Sequence, residues 1–103
     1  DVYGALIQLG DEVKHAVDQL QEAQLSVAAA KVARDLSEKN LQAEQRKYEL
    51  GAQTIFFVLD AQTQLSSAEQ SLLQAQISYQ RALVQVDRVT GQLLARNHIQ
   101  ISQ

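Results

Sequence analysis

Two seven-residue repeats, one in each half of the chain, constrain its fold more than any other feature. In the second half Val58, Leu65, Leu72, Tyr79, Val86 and Leu93 recur at intervals of seven. Ala61, Ala68, Ala75, Ala82 and Val89 fill the position three further on. Spacings of three and four bring such residues onto one stripe of a helix, which predicts a long helix with a narrow apolar seam. Alanine at the second seam position lets a partner axis approach toward the short end of the usual range of about 8–10 Å. The first half repeats the pattern with Leu6, Val13, Leu20, Val27, Leu41 and Tyr48, broken once by Arg34. Leu9, Ala16, Ala23 and Ala30 accompany them, and this companion position turns polar at Ser37 and Glu44. Two matched seams around Gly51 predict an all-α fold, a long antiparallel two-helix coiled-coil hairpin. Its first arm should run from about 5 to 49, its tip from 50 to 54 and its second arm from about 55 to 96.

Composition agrees with uninterrupted helix. The chain has no Pro, Cys, Met or Trp, and much of its apolar content is alanine. Ala, Gln, Leu and Glu are good helix formers. An interior built on alanine is thin, since a fully buried leucine contributes about 1.5–3 kcal/mol and alanine far less. The net charge is −3 and the nine basic residues are scattered, which argues against a phosphate-binding face and so against nucleic acid as a partner. Fifteen charged residues lie in 1–50 and only six in 51–103, where glutamine replaces them. No apolar run approaches the roughly 20 residues of a membrane-spanning helix. The absence of cysteine suits an oxidising compartment without requiring one. A start at Asp1, with no signal peptide or initiator Met, reads as an excised or processed piece.

A further apolar set lies off the seam. It comprises Leu25, Ala29, Val32, Leu36 and Ala43 in the first arm, and Leu73, Ile77, Val84 and Leu94 in the second. These are either ordinary scattered surface residues or the faces by which each hairpin meets neighbours on both sides. The tip follows capping logic. Arg46 and Lys47 suit the negative end of the first helix, Gly51 the left-handed residue that ends it, and the Thr54 hydroxyl a cap for the second. Ile55-Phe56-Phe57-Val58-Leu59 then covers every face of a turn, so part of it must meet something beyond the partner arm. Gly91 is expected to interrupt the second arm, and Asn97 to Gln103 to leave as an extended segment. With Gly4 and Gly10 at the start of the first arm, both base ends read as junctions.

Catalysis finds no nucleophile–base–acid set and no glycine-rich phosphate loop. Glu12 and His15 form one Glu-x-x-His step, but di-iron carboxylate bundles need two such steps and further glutamates. No cofactor or metal is expected, with His15 and His98 as surface residues.

From Tyr48 to Leu94 the sequence resembles the second periplasmic hairpin of the TolC-like outer-membrane efflux proteins. The ordered set Tyr48, Gly51, Thr54, Val58-Leu59-Asp60-Ala61, Tyr79 and Gly91 carries the resemblance. It implies a stave of a trimeric α-barrel, the periplasmic part of an outer-membrane channel. The tip would be the entrance and would dock a periplasmic adaptor protein, itself joined to an inner-membrane transporter. Multidrug efflux and type I secretion are the transport classes implied. Residue by residue, Tyr48 matches a tyrosine that hydrogen-bonds the closed tip, and Asp60 an aspartate facing the constriction. Gln53 and Phe57 stand where an arginine and a second aspartate are familiar, so the charged latch and one acidic ring are absent. Tyr48, Gln53, Phe57 and Asp60 are therefore the pore and gate candidates. Leu50, Gly51, Ala52 and Thr54 are the adaptor-binding candidates. Asp60 could equally be a solvated residue of a first helical turn, and Gly51 a helix cap only. The alternative class is the coiled-coil hairpin of a periplasmic adaptor, or another structural interaction module.

Overall fold

The computed structural model describes residues 1–101, with the side chains of Leu93 and of residues 96–101 outside the described set. Two α-helices account for nearly all of it: α1 over Val2–Glu49 and α2 over Ile55–Ile101. The chain divides into a base unit, residues 1–24 with 77 onward, and a tip unit, Leu25–Gln76, which contains the turn.

In the base unit Leu9 and Ala16 of α1 and Val89 of α2 are buried. Val13, Leu20, Ala23, Tyr79, Ala82 and Val86 are half-buried, flanked by Val17 and Leu83. In the tip unit Val58 and Ala61 are buried, both from α2. Leu65, Ala68, Leu72 and Ala75 continue that seam half-buried, and from α1 come Val27, Ala30 and Leu41. Arg34, Ser37 and Glu44 keep their seam positions and are half-buried too. The heptad therefore holds through its polar members. α1 is one unbroken helix, so the azimuth set by Val27 and Ala30 carries residues 34, 37 and 44 to the same side.

Two sequence expectations fail at the far end of α2. Gly91 does not interrupt the helix, and the backbone stays helical through Ile101 instead of leaving as an extended segment at Asn97. Main-chain hydrogen bonding does not require an amphipathic pattern, no proline breaks this stretch, and a single glycine costs only about 1 kcal/mol. Gly4 and Gly10 likewise sit inside α1. The expectation for His98 falls outside the described side chains. Asp1 caps α1, its Oδ1 accepting the Tyr3 N–H at 3.2 Å and its carbonyl the Ala5 N–H at 3.1 Å.

Candidate functional site: the turn and its apolar collar

The turn is built by the end of α1. Gly51 has φ 75°, the only positive φ among the described residues. Its N–H donates to the Tyr48 carbonyl at 2.9 Å, while the Ala52 N–H donates to the Lys47 carbonyl at 2.8 Å. This pair of bonds is the Schellman motif, which satisfies carbonyls that a helix end would leave free. Arg46 and Lys47 occupy the last turn, where positive charge is favoured.

Thr54 begins α2 differently from expectation. Its carbonyl accepts the Phe57 N–H at 3.3 Å, but among the described residues its hydroxyl makes no hydrogen bond to the backbone. Start-of-helix N–H groups at this exposed site can be satisfied by water, so the hydroxyl cap is dispensable.

Around the turn stands a collar of exposed apolar side chains. Leu50 is 78% exposed and Phe56 68%, and Tyr48, Ile55, Phe57 and Leu59 are each close to half exposed. The Phe56 and Phe57 rings meet edge to face, centroids 6.0 Å apart, a favourable geometry for aromatic pairs. Only Val58 of the five-residue run is buried, which puts the other four toward solvent or a partner.

The eight candidate residues do not form one cluster. Leu50, Gly51, Ala52 and Thr54 are exposed on the turn itself, with nothing within 4 Å of where a Gly51 Cβ would stand. Asp60 is exposed and accepts a hydrogen bond from Gln64 Nε2 at 3.2 Å, one helical turn on. The Tyr48 side chain makes no hydrogen bond among the described residues. Gln53 is half-buried, and its Oε1 is buried without a partner among the described residues.

Sequence reasoning left other polar atoms unremarked. Glu44 Oε2 is buried without a hydrogen bond, while its Oε1 lies 3.6 Å from Lys47 Nζ. Arg34 Nε stands 2.9 Å from Asp35 Oδ1 but makes no hydrogen bond to it. Adjacent helical residues diverge by about 100°, so the approach is close yet misaligned. The heptad itself held the signal, since each of these residues except Asp35 and Lys47 falls on a seam position.

In the base unit an open groove of about 320 Å³ runs between Glu12, His15 and Gln19 of α1 and Gln85, Arg88 and Gln92 of α2. No group of three or more metal-ligating side chains occurs among the described residues. No described helix is long and apolar enough to cross a membrane.

Both helices also carry apolar residues away from the seam. Leu25, Val32 and Leu36 of α1 and Leu73, Ile77, Val84 and Leu94 of α2 are all well exposed. On helical geometry these stripes lie about 150–160° round from the seams. Such an arrangement suits helices with neighbours on two sides. In α1 the seam is interrupted by Arg34, Ser37 and Glu44, whereas that of α2 stays apolar from Val58 to Ala75. No curated protein and no solved structure matches the chain. The family model for outer membrane efflux proteins matches it from residue 3 to residue 92, through both arms and across the turn, and the chain belongs to that family.

Proposed function

We propose that this chain is a wall segment of the periplasmic tunnel of an outer-membrane efflux channel, with its turn at the tunnel entrance. The observation that carries the reading is the second apolar stripe on each helix. A stripe about 150–160° from the seam places one neighbour on each side of a helix in a gently curved wall, which a closed ring of staves requires. Family membership supports a channel part, and three copies of the parent protein would close the ring. The work of such a segment in transport is structural, as a conduit and an entrance.

The exposed turn then becomes the docking point for a periplasmic adaptor, which links it to an inner-membrane transporter. Leu50, Gly51, Ala52 and Thr54 supply the apex, with open space over Gly51 for a partner helix. Exposed Tyr48, Phe57 and Asp60 lie beside the apex. Three Asp60 carboxylates round an axis would favour cations, while Phe57 and its exposed neighbours would hold the entrance by apolar contact. Gln53 lies at the turn beside these gate candidates.

In the complete channel, Phe57→Asp adds a second ring of carboxylates, and cation preference in planar-bilayer recordings should rise severalfold. Phe57 is 47% exposed, so the change removes no core residue. An assembled, conducting channel whose selectivity is unaltered would remove Phe57 from the lumen and with it the proposed placement of the entrance.

A further inference from the structure

Along α1 the apolar stripe changes sides. In the base unit its seam is Leu6, Leu9, Val13, Ala16, Leu20 and Ala23, and the opposite face carries Asp11, His15, Asp18 and Glu22. In the tip unit Arg34, Ser37 and Glu44 stand on the seam, while Leu25, Val32 and Leu36 are exposed on the opposite face. α2 makes no matching change, since its seam in the same unit is apolar from Val58 to Ala75. Polar side chains of one arm are thus set against an apolar stripe of the other. The consequence is visible in the hydrogen bonding. Arg34 Nε and Glu44 Oε2 make no hydrogen bond, their charged neighbours Asp35 and Lys47 lying on the same helix, and Gln53 Oε1 is also without one; all three atoms belong to the tip unit.

We infer that α1 from Lys31 to Glu49 is a weakly held arm that leaves α2 by local opening while the base unit remains paired. A buried polar atom without a partner loses its water and gains nothing in return. Separation from α2 rehydrates Arg34 and Glu44 at the cost of exposing Val58 and Ala61 of α2, while the arm itself gives up Leu41 as its single large aliphatic seam residue. Once unpaired, a helical stretch of this length is marginal in water, since helical stability comes mostly from packing. Opening therefore extends to its backbone amides. The turn does not oppose this: the Schellman bonds tie Gly51 and Ala52 to Lys47 and Tyr48 within the same arm. If the chain lines a tunnel entrance, as proposed above, the arm is an element that can move there independently of α2, but its looseness needs no channel.

Hydrogen exchange followed by mass spectrometry on the 103-residue chain tests this directly. Peptides within 31–49 should exchange at least about tenfold faster than peptides within 9–24. The triple variant Arg34→Leu, Ser37→Ala, Glu44→Leu completes the apolar seam. It should slow exchange in 31–49 by about tenfold and leave 9–24 within about twofold. Should the triple variant precipitate, Glu44→Leu alone should still slow the segment severalfold. Equal protection of the two segments, or fast exchange that neither variant slows, overturns the inference. Channel selectivity plays no part in the measurement, so it can fail while the entrance assignment stands, and the reverse.

Discussion

The base and tip units use the same helices, the same heptad and the same alanine-rich spacing, yet they are held together differently. In the base unit both arms contribute buried residues, Leu9 and Ala16 from one and Val89 from the other. In the tip unit only α2 does, through Val58 and Ala61. The apolar side chains that α1 withdraws from its seam there do not vanish; they reappear on its outer face as Leu25, Val32 and Leu36. A seam position in a repeat thus fixes where a residue points, while its side chain fixes whether pointing there is stabilising. The two halves share the first property and differ in the second.

A charge placed at equivalent seam positions gives the largest contrast. Ala16 is 3% exposed, and Ala16→Glu would bury a carboxylate in an apolar layer, costing about 3–5 kcal/mol. Ser37 occupies the same heptad position three heptads on, where the seam is already polar and Arg34 lies three residues away. Ser37→Glu should cost less than about 1 kcal/mol, since a half-exposed ion pair at that spacing offsets part of the desolvation. Urea denaturation of both variants measures the difference. Similar losses at the two sites would mean that the tip seam is as dry as the base seam, and the contrast between units would collapse.

Leucine truncation gives a smaller version of the same comparison. Leu9→Ala removes a side chain that is 5% exposed and should cost about 2–3 kcal/mol. Leu41 is half-buried among polar seam neighbours, so Leu41→Ala should cost about 1 kcal/mol. A larger loss at Leu41 than at Leu9 would show that the tip unit depends on its one remaining large aliphatic contact more than its exposure suggests.

Most of the architecture was legible because a heptad is geometric. Once Val27 and Ala30 faced inward, 3.6 residues per turn left Arg34, Ser37 and Glu44 no other direction. Arg34, met in the sequence as a break in the repeat, proved to be a member of it. What stayed illegible was anything that rests on single hydrogen bonds. Thr54 is a favourable capping residue by type, but among the described residues only its carbonyl bonds to the first turn, as the opening step of the helical ladder. The half-burial of Gln53 and its unpaired oxygen likewise have no counterpart in the sequence pattern. The extended ending expected at Asn97 failed for a related reason: loss of hydrophobic periodicity removes a packing face and leaves the helical backbone bonds intact. The eight candidate positions take their roles from an axis shared between chains, and a heptad encodes only the pairing of one chain with itself.

Two glycines make the finest comparison, because the same substitution should act in opposite directions. Both Gly51 in the tip unit and Gly91 in the base unit have nothing within 4 Å of an added Cβ, so neither site is limited by space. They differ in backbone alone. Gly51 sits at φ 75°, where an L side chain is strained by roughly 1 kcal/mol, and Gly51→Ala should destabilise by that amount. Gly91 is an exposed position inside α2, where alanine restricts the unfolded chain and favours helix, so Gly91→Ala should stabilise by about 0.5–1 kcal/mol. Thermal melts of the two variants beside the parent chain read the sign directly. If Gly51→Ala proved neutral, the left-handed turn would not be what ends α1, and the Schellman bonds at Lys47 and Tyr48 would be incidental. If Gly91→Ala failed to stabilise, the last turns of α2 would be too weakly formed in solution for helix propensity to matter. The helical backbone through Ile101 would then depend on contacts that this chain alone does not supply.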